Sequence, residues 1–417
     1  MCYAIPGKIV KIKENTAVLD YFGEQRNVYL DQEVRIGDYA YAQGGVLINV
    51  IEAKDAEEIL KFWEKKFFEL KEIDKENSQV EDIKASTKVL DILQKVNLNN
   101  ELSKEELLFL LQIEDKNELK LIYETANNVR QKEHDNACCV HGIIEFSNYC
   151  KNDCHYCGIR CSHDIQRYRL DIEEIVNITK TSIDLGFKAF VLQSGEDYWY
   201  DEAKLIEIVK RIRKLNVLVF LSIGVRSKNL YEKLYRAGAR GVLLRFESSD
   251  KELFEKQRQG TSFDERVQLI KDLKNMNYII ATGFLVGIGE KMETIVDNIL
   301  LTKELGADVY SFGPVIPFTG EVNVEKDLIL KIIAVSRFID KKSKILVTSA
   351  LETLDASARK EGLMAGANSL MLNVTPKRYK NLYHLYPGRK DEEIVRAIDD
   401  TVNLLYSIGR APTDLGI

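Results

Sequence analysis

Three cysteines with a three-then-two spacing are the residues of this chain best suited to chemistry. They lie in the segment Cys150-Lys-Asn-Asp-Cys154-His-Tyr-Cys157. Thiolates are the usual ligands of iron-sulfur clusters, and three of them on a 4Fe-4S cluster leave the fourth iron open for a substrate or a cofactor. A structural zinc site is the alternative, but zinc usually takes a fourth Cys or His at a second paired spacing. The sequence has no second pair of this kind, so the spacing favours a cluster with an open, reactive iron.

A predicted strand leads into the cysteine loop. Residues 143–147 read Ile-Ile-Glu-Phe-Ser, an apolar run that ends just before the first cysteine. After about Ala137 strand and helix patterns alternate eight times, and the apolar runs begin near Ile143, Lys188, Val217, Gly241, Ile279, Asp308, Ile345 and Ser369. This count predicts an α/β fold with a TIM-type (β/α)8 barrel, whose active-site groups lie after the carboxyl ends of the strands.

The first fifth of the chain has a different pattern. Residues 1 to about 50 contain five short alternating runs separated by turn residues, which predict a small all-β, OB-like barrel. A helical pattern follows from Ala53 to about Lys71. We therefore predict a β-barrel plus helix over residues 1–72, a polar linker over 73–87, a helical lead-in over 88–136 and the large barrel over 137–417. Within the lead-in, Ser103 and Glu106 form a capping box at a helix start.

Composition sets limits on the class of protein. The 417 residues are 45% hydrophobic, which is enough for two domains with a large core. The net charge of -6 and the lack of a basic tract with interleaved aromatics argue against a nucleic-acid binder. No signal peptide and no apolar run of about 18 residues is found, so we expect a cytoplasmic protein that is not in a membrane. Seven cysteines in so long a chain fit a reducing compartment better than a disulfide scaffold.

Polar residues follow several of the predicted strands. Glu196, after Gly195, ends the second strand, and Arg245 and Glu247 end the fourth, where an isolated buried charge would be costly without a partner. The alternative for the last two is a structural ion pair at the barrel mouth, and for Arg266 a solvent-exposed position on a helix. Other candidates around the mouth are Tyr156, Gly287, Thr348, Ser349, Met371, Tyr383 and Tyr386.

The cysteine segment resembles the signature of the radical S-adenosylmethionine (SAM) superfamily. One branch, the FeFe-hydrogenase maturases of the HydE family, is similar from about Ser103 to the C-terminus. The likeness is carried by Ile144-Glu-Phe-Ser-Asn148, Cys157-Gly-Ile-Arg160, Val191-Leu-Gln-Ser-Gly-Glu-Asp197, Leu243-Leu-Arg-Phe-Glu247, Thr261-Ser-Phe263 and Leu385-Tyr-Pro-Gly388. Ser194 replaces the first glycine of the superfamily's Gly-Gly-Glu element. The same branch includes methylornithine synthase and, further off, biotin synthase.

This resemblance implies a 4Fe-4S cluster on Cys150, Cys154 and Cys157 and reductive cleavage of SAM to methionine and a 5′-deoxyadenosyl radical. It implies that the cofactor-binding residues are Tyr156, Gly195, Glu196, Glu247, Arg266 and Gly287. The substrate-binding residues that it implies are Arg245, Thr348, Ser349, Met371 and Tyr386. No Cys follows Cys161, so we expect no second cluster near the C-terminus.

The N-terminal residues Met1-Cys2-Tyr-Ala-Ile-Pro-Gly-Lys8 resemble the HypC/HupF family of hydrogenase maturation chaperones. The resemblance implies that Cys2 is a candidate carrier of an iron unit with cyanide and carbonyl ligands. It also implies contact with HypD or with a hydrogenase subunit. We expect Cys138, Cys139 and Cys161 to be buried or incidental thiols rather than ligands.

Together the two resemblances suggest a fused metallocofactor maturase that acts on a small-molecule or organometallic iron substrate. Its expected partners are other hydrogenase maturases or a hydrogenase subunit, and a reductant such as ferredoxin or flavodoxin. One hypothesis is that the iron unit passes between Cys2 and the mouth of the large barrel. The alternatives are a mutase of the methylornithine synthase type, acting on a small amino acid, and a non-catalytic scaffold for a hydrogenase subunit.

Overall fold

The computed structural model describes residues 5–30, 32–43, 45–319, 324–389 and 391–412. The described chain starts with five strands: β1 Gly7–Lys13, β2 Thr16–Tyr21, β3 Glu24–Tyr29, β4 Tyr39–Gln43 and β5 Val46–Ile51. They close into a barrel in the order β1-β2-β3-β5-β4. Alternate residues such as Ile9, Leu19 and Val28 point into its core, as the period of two requires. The predicted small barrel is confirmed.

Helix α1, Ala53–Asn77, links the small barrel to the rest of the molecule. Its first half packs Trp63 and Phe67 on the small barrel's core. The helix continues past the predicted end near Lys71 because Asp74, in its last turn, is buried and receives hydrogen bonds from Arg130 and Arg410. The segment without regular structure is therefore confined to residues 78–86.

Three helices lead into the large barrel: α2 Thr87–Asn97, α3 Lys104–Leu111 and α4 Lys116–His134. Helix α3 begins with the predicted capping box, in which the Ser103 side chain accepts from the Glu106 amide and the Glu106 carboxylate accepts from the Ser103 amide. The apolar faces of these helices belong to the main hydrophobic core.

The rest of the described chain alternates strands and helices. In order, the elements are β6 Cys139–Ser147, α5 Ile172–Asp184, β7 Ala189–Ser194, α6 Glu202–Arg213, β8 Leu218–Ser222, α7 Lys228–Ala237, β9 Gly241–Leu243, α8 Lys251–Gln257, α9 Phe263–Asn275, β10 Ile279–Thr282, β11 Leu285–Val286, α10 Met292–Glu304, β12 Val309–Tyr310, β13 Gly313–Pro314, α11 Lys326–Ile339, β14 Lys344–Val347, α12 Ser349–Leu354, α13 Ala358–Met364, β15 Ser369–Asn373, α14 Lys377–Lys380 and α15 Ile394–Ser407.

Eight parallel strands close the large barrel in the order β10-β12-β14-β15-β6-β7-β8-β9. The predicted (β/α)8 architecture is confirmed. Strands β11 and β13 pair separately, beyond the carboxyl ends of β10 and β12. Strand β6 begins at Cys139, earlier than the predicted Ile143. The sequence pattern placed the start too late because Cys139 and His141 interrupt the apolar run, although both side chains are buried.

The small barrel contacts the amino-terminal end of the large barrel. Val46 of β5 packs in one cluster with Ala189, Val191, Leu218 and Phe220 of β7 and β8. The cysteine loop follows β6 and therefore lies at the opposite, carboxyl end. In the part of the chain that the structure describes, no helix combines the length and apolar character needed to cross a membrane.

Candidate functional site

A cavity of about 270 Å³ opens at the carboxyl ends of the large barrel's strands. The loop after β6 supplies the three cysteines, and the ends of β7, β9, β14 and β15 supply polar or soft side chains to the same space. This is the end of a (β/α)8 barrel at which catalytic groups collect. Of the predicted site residues it gathers Cys150, Cys154, Tyr156, Cys157, Gly195, Glu196, Arg245, Glu247, Arg266, Thr348, Ser349, Met371 and Tyr386.

The cysteine loop is held by Asn148. Its amide donates to the carbonyls of Gln166 and Leu382 at 2.9 and 2.8 Å, and its oxygen accepts from the Tyr168 amide at 2.7 Å. Because Asn148 ties together three separate segments, the loop leaves β6 in one defined direction.

The chemistry of the three thiols fits an iron-sulfur cluster. Burial raises the pKa of Cys150 and Cys154, and it raises the pKa of Cys157 to about 12. Thiolates at these positions therefore need a compensating positive charge, which cluster irons supply. The Glu196 amide lies 3.4 Å from Cys150 Sγ and donates to it, a contact that favours the thiolate further.

Two glycines allow the chain to approach the cysteines and Glu196 closely. A Cβ on Gly195 would lie 2.2 Å from the Tyr149 carbonyl oxygen and 2.7 Å from Cys150 Cβ. Gly224, after β8, has a φ of +72°, and a Cβ there would lie 2.0 Å from Glu196 Cγ. At both positions a larger side chain would overlap with these neighbouring atoms, so glycine is required.

Beside the cysteines, two carboxylates and two guanidinium groups form a compact buried cluster. Glu196 Oε1 lies 3.5 Å from Arg258 Nη2 and 3.9 Å from Arg266 Nη1. Glu247 Oε1 lies 3.9 Å from Arg258 Nη1, and each of the four side chains is less than 8% exposed. Opposite charges thus balance in this cluster, which limits the cost of burying them.

Tyr156, between the second and third cysteines, is tied to the same cluster. Its hydroxyl accepts a hydrogen bond from Arg258 Nη1 at 2.8 Å. Burial raises the pKa of Tyr156 well above its ordinary value, so the phenol stays neutral. The cluster therefore offers carboxylate acceptors, guanidinium donors and a neutral hydroxyl, a set that can bind both ends of an amino acid.

Glu247 is held in a strained backbone conformation. Its φ is +69°, in the left-handed region that non-glycine residues occupy at a cost of about 1–3 kcal/mol. Its amide donates to the Gly283 carbonyl and its carbonyl accepts from the Leu285 amide, which fixes this turn. The turn directs the Glu247 carboxylate toward the cavity.

The rest of the cavity lining includes hydroxyls and the Arg245 guanidinium group. Arg245 Nε lies 3.2 Å from Glu247 Oε2, and Ser349 Oγ and Tyr386 Oη are hydrogen-bonded at 2.7 Å. Thr348 Oγ1 is buried and makes no hydrogen bond within the described residues. Met371 adds a soft thioether from β15.

One predicted site residue lies away from the cavity, and another falls outside the described residues. Gly287 is not among the described residues that line the cavity. Its amide donates a hydrogen bond to Glu290 Oε1 at 2.7 Å. Its glycine is explained by a φ of +94° and by Val324, whose Cγ2 would lie 2.3 Å from an added Cβ. Cys2 lies outside the described residues.

Sequence reasoning missed three charged residues of the cavity. Arg258 follows α8 and joins both carboxylates, while the buried Glu145 forms an ion pair with the half-buried Arg389 at 2.6 Å. Asn373 Nδ2 also donates to Glu145, at 2.8 Å. Glu145 gave a usable signal, since a carboxylate inside an apolar strand needs a buried partner. Arg258 and Arg389 lie in loops and gave none.

Comparisons with known proteins agree with this geometry. Sequence profiles match the Radical SAM superfamily at residues 144–302, the HupF/HypC family at 1–63 and the Biotin and Thiamin Synthesis associated domain at 314–401. The FeFe-hydrogenase maturase subunit HydE of Thermotoga maritima is 36% identical over 77% of this chain and 95% of its own length. The 3-methylornithine synthase of Methanosarcina acetivorans is 32% identical over 75% of this chain and 91% of its own.

Solved structures agree as well. The crystal structure of methylornithine synthase (PylB) has a TM-score of 0.69 and 29% identity, and the match covers 78% of this chain and 97% of that one. HydG, a maturase of the FeFe-hydrogenase, has a TM-score of 0.62 at 20% identity, which shows a shared fold. The chain therefore belongs to the radical SAM superfamily, in the family that contains HydE maturases and 3-methylornithine synthases, and carries a HupF/HypC-type domain at its amino end.

Proposed function

We propose that this enzyme cleaves SAM reductively and uses the resulting 5′-deoxyadenosyl radical to assemble a hydrogenase metal cofactor. One observation carries the proposal: a large barrel 36% identical to HydE shares its chain with a domain of the HupF/HypC family. HydE is named as a hydrogenase maturase subunit, and the resemblance of the N-terminal segment to the HypC/HupF chaperones implies the same process. A mutase of amino acids has no evident use for the second domain.

Cys150, Cys154 and Cys157 would hold the 4Fe-4S cluster of this superfamily. When bound, the cluster supplies the electron for cleavage of SAM and an open iron for its amino-acid end. Glu196 and Glu247 are placed to accept hydrogen bonds from an ammonium group. Arg266 and Arg258 hold these carboxylates in place and can meet the carboxylate of the same ligand.

We assign the substrate to the part of the cavity that is lined by Arg245, Thr348, Ser349, Met371 and Tyr386. A guanidinium and three hydroxyls suit a small anion or the polar ligands of an organometallic iron unit, and the Met371 sulfur is a soft contact. Tyr383, which is buried against this region, helps to keep water from the reacting atoms.

The partners that fit this proposal are other hydrogenase maturases or a hydrogenase subunit, together with a one-electron donor such as ferredoxin or flavodoxin. We place the reaction in the cytoplasm. The support is chemical, since an exposed thiol such as Cys161 and an oxidisable cluster suit a reducing compartment.

The direct test is anaerobic reconstitution with iron and sulfide, followed by reduction in the presence of SAM. We expect 5′-deoxyadenosine and methionine, with deuterium transferred into 5′-deoxyadenosine from the correct labelled iron-cysteine, thioether or amino-acid substrate. Failure to form 5′-deoxyadenosine would instead support the scaffold alternative.

A second candidate function is that of 3-methylornithine synthase. The specific observation in its favour is the fold match to PylB, whose TM-score is 0.69 over nearly the whole of that chain. Formation of 3-methylornithine from an amino-acid substrate in the same assay would support this reading over hydrogenase maturation.

A further inference from the structure

Two side chains with metal-binding chemistry meet at the amino-terminal end of the large barrel. Cys139 and His141 lie two residues apart on β6, so the period of two places both side chains on the face inside the barrel. Cys139 Sγ lies 3.4 Å from His141 Nε2 and 3.7 Å from Nδ1. Each residue is 2% exposed.

The separation of these atoms suits two ligands of one metal ion. With a metal-sulfur bond of about 2.3 Å and a metal-nitrogen bond of about 2.0 Å, tetrahedral geometry puts the two ligand atoms about 3.5 Å apart. The observed 3.4 Å therefore requires little movement of either side chain.

Gln43 provides an independent indication of a ligand at this place. It is fully buried, and its Nε2 lies 3.0 Å from Cys139 Sγ. Its Oε1 makes no hydrogen bond with any described residue. A buried carbonyl oxygen without a partner is costly, and a metal ion or its bound water would satisfy it.

The cluster is shared by the two domains. Gln43 ends β4 of the small barrel, while Cys139 and His141 begin the large barrel.

This cluster is separate from the SAM cavity. Along β6, Glu145, which lines the cavity, is six residues beyond Cys139. At about 3.3 Å per residue, the two levels are about 20 Å apart.

We propose that Cys139 and His141, with Gln43 beside them, bind a divalent thiophilic metal such as iron(II) where the two barrels meet. Binding replaces the Cys139 thiol proton with the metal, releases that proton to solvent and transfers no electron. Only the identity of the metal cargo rests on the proposed function. This reading replaces the expectation that Cys139 is an incidental thiol.

The test is a cobalt(II) titration of the full-length chain in which Cys150, Cys154 and Cys157 are each replaced by alanine. We expect about one cobalt per chain and a sulfur-to-cobalt charge-transfer band. Cys139→Ser should abolish the band, and His141→Asn should weaken binding at least tenfold. Cys138→Ser, which removes the neighbouring buried thiol, and Cys161→Ser, which removes the exposed one, should bind cobalt like the parent.

A parent without the band, or a Cys139→Ser variant that keeps it, would overturn the site. Folding of the Cys139 and His141 variants is checked with the cysteine triplet intact, by formation of 5′-deoxyadenosine at the parent rate. Because the titration contains no SAM, failure of metal binding and failure of SAM cleavage are separate results.

Discussion

Gly224 sets the position of Glu196 through backbone geometry alone. A methyl group on Gly224 would lie 2.0 Å from Glu196 Cγ, and the φ of +72° costs an alanine about 1–2 kcal/mol. Gly224→Ala should therefore raise the dissociation constant for SAM at least tenfold, as measured by equilibrium binding to the reconstituted enzyme.

The matched control is Gly23→Ala in the small barrel. Gly23 has a comparable φ of +92°, but an added Cβ would meet no atom within 4 Å. It should lose similar backbone stability and keep the parent's affinity for SAM. Equal losses of affinity in both variants would refute the role given to the Glu196 contact.

Arg258 joins the two carboxylates and the Tyr156 hydroxyl. Arg258→Lys keeps the charge but loses the planar fork, so we expect the KM for SAM to rise at least tenfold. A double-mutant cycle with Tyr156→Phe should give a coupling of about 1–3 kcal/mol, because the Arg258 to Tyr156 hydrogen bond is lost in either variant. Additive effects would contradict a direct interaction. The exposed Arg396 of α15 provides the control, since Arg396→Lys should leave KM unchanged.

Thiol reactivity of the cluster-free protein reports on the cysteine loop. Burial raises the pKa of Cys157 to about 12, so at pH 8 only about one molecule in ten thousand carries the reactive thiolate. Iodoacetamide should modify the exposed Cys161 first and Cys157 slowly, and the rate at Cys157 should rise about tenfold per pH unit below 12. Peptide mass mapping measures both sites. Equal rates at pH 8 would show that the pKa of the Cys157 thiol is not raised.

At the scale of residues, the sequence predicted which residues belong to the site better than it predicted which of them contact each other. Cys150, Glu196 and Arg245 were predictable because they follow predicted strands at the end of a barrel where active sites form. The contacts of Arg258 with Glu196 and Tyr156, and the pair of Glu145 with Arg389, join segments more than 50 residues apart. Such pairings depend on tertiary packing, which no local pattern contains.

Among the elements, helix α1 packs on the small barrel through its first half and is anchored near its carboxyl end by Asp74. Asp74 accepts hydrogen bonds from Arg130 at 2.7 and 2.8 Å and from Arg410 at 2.7 Å, and all three side chains are at most 1% exposed. Asp74→Asn would leave two buried guanidinium groups without their countercharge. We expect a loss of about 3–5 kcal/mol of stability, visible as a lower midpoint in urea unfolding.

The control for this change is Glu76→Gln, an exposed position two residues further along α1. It should shift the midpoint little, because exposed charges contribute about 0–1 kcal/mol. If Asp74→Asn also shifted the midpoint little, the anchoring of α1 to the large barrel would be wrong.

The elements themselves were largely predictable. Period-two and helical patterns gave the five small strands, the eight barrel strands and the capping box at Ser103, which depend on local spacing. Helix α1 ends later, and strand β6 begins earlier, than the sequence predicted. In both places polar residues, Asp74 in one and Cys139 with His141 in the other, are buried with partners distant in the sequence.

On the scale of the whole molecule, the cysteine loop and the small barrel lie at opposite ends of the large barrel. The cysteine loop is at the carboxyl end, and the small barrel covers the amino end through Val46 and Gln43. The sequence indicated both domains but not their docking, because the contact depends on a few apolar residues that resemble any core residue.

The most direct measurement of the central claim is a defined FeFe-hydrogenase maturation reaction from which HydE is omitted. Adding this enzyme, reconstituted and supplied with SAM and a reductant, should restore hydrogenase activity, and 5′-deoxyadenosine should accumulate. A Cys150→Ala variant should do neither. Formation of 5′-deoxyadenosine without any active hydrogenase would contradict the proposed function and direct attention to a different substrate.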